Sequence, residues 1–226
     1  MDTTNSKSGK DKMAKGTMAE IIWKGNMDWD VAFNGNQVWD EEIRAADVPE
    51  NAVLLKRSEN IFTGSVPYMI VPLLICFAAV IMKRAVSEEI FLGLRFLPLS
   101  FLIGLAVGLP LHEFIHALCY PKGTKVYIGV SVKQLRAFVI SSSPLSRRRY
   151  VWMSLTPALT GFVSLIVFLI TPISVKWLTT LFLIPMFMGM ITPSPDYMDV
   201  YLVLCQVPKG AFIQPTEKGY AWYKSF

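Results

Sequence analysis

Histidine is nearly absent from this 226-residue chain: there are two, His112 and His116. Acidic residues are almost as scarce beyond the first third. Of the 17 Asp and Glu, the stretch Val66–Phe226 keeps only Glu88, Glu89, Glu113, Asp196, Asp199 and Glu217. No charged residue falls between Leu97 and Leu111. Cysteine is limited to Cys76, Cys119 and Cys205, each in or beside an apolar stretch and none in C-x-x-C spacing. The cysteine pattern argues against a zinc finger or a disulfide framework. The polar start of the chain has no apolar core, so no cleavable signal peptide is expected. A net charge of +5 does not amount to a nucleic-acid patch, because the basic residues sit in loops beside apolar runs. That is the distribution a membrane imposes, and nucleic acid is not expected as a partner.

What is present is apolar. Hydrophobic residues make up 53% of the chain, and the mean hydropathy is +0.42. Four runs are predicted to span a membrane: Val66 to Met82, closed by Lys83 and Arg84; about Ile90 to Tyr120; Tyr150 to about Ile173; and Trp177 to about Thr192. The stretch Pro193-Ser-Pro-Asp-Tyr-Met-Asp199 breaks the pattern, and a short apolar helix, Val200 to Val207, follows it. Between the second and third runs, "KVYIGVSVK" alternates apolar and polar residues and "AFVISSS" is β-prone, which predicts a small β-hairpin within residues 121–149. The fold class expected is mainly α: a multi-pass membrane protein of about four transmembrane helices plus a short C-terminal membrane helix. Residues 1–65 read as a polar cytosolic segment, its first ~20 residues disordered by composition. Its Trp23, Trp29 and Trp39 suit packing at a membrane surface. Residues 208–226 read as a cytosolic, polar-aromatic tail.

Both histidines fall in one pentapeptide, His112-Glu113-Phe114-Ile115-His116. On a helix, positions i and i+4 share a face, so the two imidazoles can hold one tetrahedral zinc ion. Glu113 between them can act as general base on a water that the metal activates. Ionisable side chains are costly in hydrocarbon and are usually functional there. Pro110, two residues before His112, removes a backbone donor and can kink the helix. Cys119, three residues past His116, could approach the metal but reads better as a small buried hydrophobe.

A catalytic zinc site usually has three protein ligands. With no third histidine, a carboxylate is required. Glu88 and Glu89 belong to the opposite membrane surface in this topology, and Glu217 lies in the tail. Asp196 and Asp199 remain. Ser194-Pro195-Asp196 looks like a helix start, which explains Asp196 by capping and the helix dipole. Asp199 lies a turn further in and has no such explanation, so it is the preferred ligand, with Asp196 the alternative.

A "HEFIHALCY" helix, a β-prone loop and an aspartate opening a later membrane helix ("SPDYMDVYLV") resemble the site-2-protease type of intramembrane zinc peptidase. The pattern is still more similar to a smaller bacterial membrane family described as putative zincin peptidases. The resemblance covers about Val66 to Val207. His112, Glu113 and His116 match the first motif in full. Pro195-Asp196 resembles the second element of site-2 proteases, although no glycine follows; Asp199-Val-Tyr-Leu fits the smaller family's aspartate before aliphatics better. The resemblance implies that residues 66–207 form a membrane metallopeptidase-like domain with zinc as cofactor. Membrane lipids and a protein or peptide substrate, including a transmembrane segment, are the implied partners.

The 121–149 loop carries Lys122, Lys125, Lys133, Arg136, Arg147, Arg148 and Arg149 and no acid, so it is expected in the cytoplasm of a cell membrane, together with the N-terminus. Two further spans return Asp196 and Asp199 to that side, within reach of the histidines. Two other readings are open. One is a non-catalytic zinc-binding membrane protein acting as scaffold or sensor, against which the Glu113 base argues. The other is a metal transporter, against which the lack of polar groups in the first, third and fourth runs argues.

Overall fold

The computed structural model describes residues 19–26, 48–58, 60–87, 90–132, 136–216 and 219–224. The expected disorder of the first residues, and Trp29, Trp39, Glu88, Glu89, Lys133 and Glu217, lie outside the described residues, as does the Arg136 side chain. The chain is mainly helical. Four helical stretches are long and apolar enough to cross a membrane: Thr63–Ala85, Leu94–Leu118, Arg147–Ile170 and Lys176–Gln206.

The first lies in α1 (Ile61–Ala85). Its residues Cys76, Ala79 and Lys83 are spaced by three and four and point inward. Val71, Leu74 and Ile81 on the other side are exposed, as a lipid-facing surface would be. Buried Lys83 donates to the Phe168 and Thr171 carbonyls at the end of the third stretch, and so acts as a helix cap rather than a free loop charge.

The second stretch begins with a 3-10 turn (Leu94–Phe96) and α2 (Leu97–Ala106). A π-helical turn (Val107–Leu111) containing Pro110 leads into α3 (His112–Leu118). Proline cannot donate to the helix ladder and its ring crowds the carbonyl four residues back. The wider π turn is where the chain absorbs that conflict, and such turns often mark functional sites. The kink expected from Pro110 therefore takes this form.

The third stretch comprises α4 (Arg147–Leu155) and α5 (Ala158–Ile170). The fourth comprises α6 (Lys176–Ile191) and α7 (Ser194–Gln206). Here the sequence-based expectation is corrected. The short C-terminal helix begins at Ser194 rather than Val200, and a turn at Thr192 and Pro193 joins it to α6 within one apolar stretch of 31 residues. Backbone bonds run through the turn, from Thr192 N–H to the Met188 carbonyl (3.0 Å) and from Tyr197 N–H to the Pro193 carbonyl (3.0 Å). A proline early in a helix loses a donor that has no partner there, so Pro193 at the cap position and Pro195 in the first turn of α7 are tolerated.

Among the described residues, seven strands form two small sheets. The hairpin expected in residues 121–149 is β3 (Lys125–Ser131) against β4 (Arg136–Ile140), antiparallel. A third strand, β1 (Glu20–Asn26), joins β3 in parallel. The second sheet has the order β2 (Val53–Leu54), β7 (Gly219–Tyr223), β6 (Phe212–Thr216), β5 (Leu145–Ser146). The residues past 208, read as a surface tail, thus fold into a hairpin with buried Ala211, Ile213 and Ala221.

One apolar core lies within the helices, around Cys76, Phe168, Met186 and Met190. The other joins the sheets to the helices. It gathers Leu55 from before the first stretch, Ala117 from the end of the second, Tyr150 and Met153 from the start of the third, and Val203 and Val207 from the end of the fourth. All four helical stretches therefore present the same end of the bundle to the sheets.

Candidate metal centre

His112 and His116 lie on one face of α3, each only 7% exposed, with ring centroids 4.7 Å apart. Their Nε2 atoms face each other at 3.0 Å. Asp196 from α7 closes the group: its Oδ2 is 3.2 Å from His112 Nε2 and its Oδ1 is 3.4 Å from His116 Nε2. These three residues form the one metal-capable group of His, Cys, Asp and Glu among the described residues. Ligands at about 2.0–2.1 Å from a tetrahedral zinc ion stand about 3.3–3.4 Å from one another. The three observed separations of 3.0, 3.2 and 3.4 Å bracket the edge of that tetrahedron. Two neutral imidazoles and one carboxylate are also the donor types zinc takes when a position is left open. The residues present therefore fit zinc.

The orientation of His116 is fixed from behind. Its Nδ1 donates to the Met153 carbonyl of α4 at 2.9 Å. With the proton on Nδ1, the Nε2 lone pair points at Asp196 and His112, which is how metal-bound imidazoles are normally held. Glu113 is half-buried beside them, with no hydrogen bond or ion pair among the described residues. Tyr120 is buried just past the end of the helix. Burial first, then Tyr220 and Glu113, push the Tyr120 phenol above its ordinary range; burial pushes Tyr220 up to about 12. Both phenols thus stay neutral near the site.

Arg149, in the basic cluster, anchors the end of α3. Its Nε donates to the Cys119 carbonyl at 2.9 Å and its Nη2 to the Tyr120 carbonyl at 3.5 Å. A cation at a helix C-terminus satisfies carbonyls that have no partner in the helix. Cys119 contributes this carbonyl; its thiol is not part of the metal-capable group.

The preference for Asp199 over Asp196 is reversed by the placement of the two side chains. Asp199 Oδ2 accepts from Arg57 Nη2 at 2.8 Å and from the Tyr150 hydroxyl at 3.3 Å, and Asp199 is absent from the group at the histidines. The reason is local. Asp196 was assigned to capping a helix start, but the cap position of α7 is Pro193 and no side chain caps it. The backbone is bonded through the turn, so the Asp196 carboxylate is left to face the imidazoles. Asp199 Oδ2 has partners supplied from far away in sequence, while its buried Oδ1 has no hydrogen-bond partner among the described residues. Arg57, Tyr150 and the Met153 carbonyl were not legible as site groups. Arg57 lies in the polar segment before the first apolar run with no motif around it, and a backbone carbonyl leaves no mark in a sequence.

Residues 105–212 match the family model described as putative zincin peptidase. The resemblance read from the sequence holds over this stretch, which contains His112, Glu113, His116, Tyr150, Met153, Asp196 and Asp199; Arg57 lies outside it. No curated protein and no solved structure matches the chain significantly.

Proposed function

We propose that this chain is a membrane-embedded zinc metallopeptidase that hydrolyses peptide bonds near the cytoplasmic face of a cell membrane. The observation that carries the reading is the convergence of His112, His116 and Asp196 at the mutual spacing of zinc ligands, with Glu113 beside them. Zinc is the cofactor, held by His112 and His116 Nε2 and an Asp196 oxygen. When bound, it supplies a Lewis acid that polarises a carbonyl and makes a water more acidic. Glu113 accepts a proton from the attacking water and later delivers one to the leaving amine. Its lack of another partner leaves it available for this. Met153 holds His116 in the ligating tautomer, and Asp196 offsets the positive charge of the ion.

Four stretches of membrane-spanning length and lipid-like outer surfaces support insertion in a bilayer, with membrane lipids as the surrounding partner. The shared packing of both sheets at one end of the bundle supports a common side for residues 48–58, the 121–149 loop and residues 208–224. The basic residues of that loop favour the cytoplasm. In the proposed reading the substrate is a protein or peptide, including a transmembrane segment. β4 is an edge strand among the described residues and suits pairing with an extended substrate.

The test compares purified wild-type and Glu113→Gln protein on candidate membrane substrates. Glutamine keeps the shape but cannot take the proton, and losing general-base assistance typically costs on the order of 10²–10⁴ in rate. The variant should keep its zinc and lose cleavage. If it cleaves at the wild-type rate, Glu113 is not the base. If the wild type holds zinc and cleaves nothing, the scaffold or sensor reading gains.

A further inference from the structure

Asp199 is a buried carboxylate three residues from Asp196 on the same helix, and the proposed chemistry gives it no task. Its position and partners do. The segment before the first helical stretch lies along α7 like a strap, fixed at several points. Leu55 is in the junction core, and its N–H donates to the Tyr220 carbonyl at 2.8 Å. The Lys56 backbone makes a reciprocal pair with the Gln206 side chain, at 2.8 and 2.9 Å. Arg57 then reaches Asp199, seven residues or two turns before Gln206 and on the same face. From the other side, α4 presents the Tyr150 hydroxyl to Asp199 and, three residues on, the Met153 carbonyl to His116. One helix thus touches both the support of Asp196 and the support of His116.

We infer that Arg57, Asp199 and Tyr150 form a positioning assembly that sets the rotation of α7, and so holds the Asp196 carboxylate at the two histidines. This rests on the proposed zinc reading of the site and adds to it a working role for the strap, which lies outside the stretch matched to the peptidase family. Asp196 and Asp199 are offset by about 4.5 Å along the helix and share one side of it. Turning α7 by one residue, about 100°, would carry both away together. Burying an ion pair seldom stabilises a fold, because desolvation offsets the attraction, and its best-attested use is to fix one arrangement among several. Here that arrangement holds Asp199 Oδ2 on Arg57 and Tyr150, and Asp199 lies outside the metal-capable group.

The experiment measures zinc affinity by chelator competition, and the visible spectrum of the cobalt(II)-loaded protein, on the full chain in detergent. Substitution of a residue that supports a metal ligand typically weakens affinity about 10–100-fold. Arg57→Gln and Asp199→Asn should each do so and alter the cobalt(II) bands. Arg57→Lys, which keeps the charge, should restore most of the affinity. Leu204→Ala, on the exposed side of α7 and away from the strap, should leave affinity and spectrum near wild type. The double variant Arg57→Gln/Asp199→Asn buries no lone charge and should fold, with affinity as weak as the single variants. Wild-type affinity and spectrum in Arg57→Gln, or in the double variant where the single does not fold, would overturn the inference alone. So would a loss in Leu204→Ala equal to that in Arg57→Gln, or no rescue by lysine. Failure of the wild type to bind zinc would instead remove the reading of the site, and this inference with it.

Discussion

Adding one methyl group at Gly161 tests how closely the metal centre depends on helix packing. Helix α5 crosses α6 where Gly161 meets Gly189. A Cβ on Gly161 would lie 2.3 Å from the Gly189 carbonyl carbon, 2.5 Å from the Met190 nitrogen and 2.6 Å from the Gly189 oxygen. All three are backbone atoms, so no side chain can rotate away. Carbon atoms in contact sit about 3.5–4.0 Å apart, so Gly161→Ala must push the helices apart by roughly 1 Å. Small residues at such crossings are what let membrane helices approach closely. Overpacking of this kind typically costs about 1–3 kcal/mol. The displacement does not stay at the crossing. α6 continues into α7, and Asp196 is seven residues beyond Gly189, about 10 Å along the helix path. A working site tolerates roughly 0.5 Å of misplacement. Gly161→Ala should therefore lower both unfolding stability in detergent and zinc affinity, the latter by about tenfold or more. Leu159→Ala, on the exposed face of the same helix, should change neither appreciably. If Gly161→Ala is as stable and binds zinc as tightly as wild type, the bundle is not a rigid frame for Asp196 and this reasoning fails.

Two further expectations concern ligand choice and topology. Asp196→Ala should remove stoichiometric zinc, whereas Asp199→Ala should retain a weakened site; elemental analysis of both variants decides between the aspartates. In a background without Cys76, Cys119 and Cys205, cysteines placed at exposed Glu50 and Lys122 should react with an impermeant maleimide from one side of the membrane, and one at exposed Ser174 from the other. Labelling of Lys122→Cys and Ser174→Cys from the same side would refute the four-span arrangement.

The parts of this molecule that were legible in its sequence are those set by neighbours along the chain. The i, i+4 spacing of His112 and His116 fixes a shared helix face whatever surrounds it. The apolar runs mark the four helical stretches because length and hydropathy are local sums. Alternation in residues 121–149 marks β3 and β4. Pairings between distant segments were not legible. Nothing near Glu20–Asn26 indicates a parallel partner some hundred residues later, and nothing in Phe212–Tyr223 indicates that it will cover the end of the bundle. The link between α6 and α7 was hidden because Pro193 and Pro195 read as a stop, while the structure places Pro193 at the cap position and Pro195 in the first turn of α7, where proline costs little. The placement of Asp196 rather than Asp199 beside the histidines was hidden for a similar reason. Asp196 has a local explanation in the sequence, and the partner that occupies Asp199, Arg57, is 142 residues away.

The most direct test of the central claim is X-ray absorption at the zinc edge of the purified full-length protein, with zinc content measured on the same sample. The account predicts about one zinc per chain, with a first shell of nitrogen and oxygen at about 2.0–2.1 Å that includes two imidazoles, and loss of that signal in the His112→Ala/His116→Ala variant. A sample that is folded and free of zinc after exposure to it, a sulfur shell at about 2.3 Å that would bring in Cys119, or an unchanged spectrum in the double variant would contradict it.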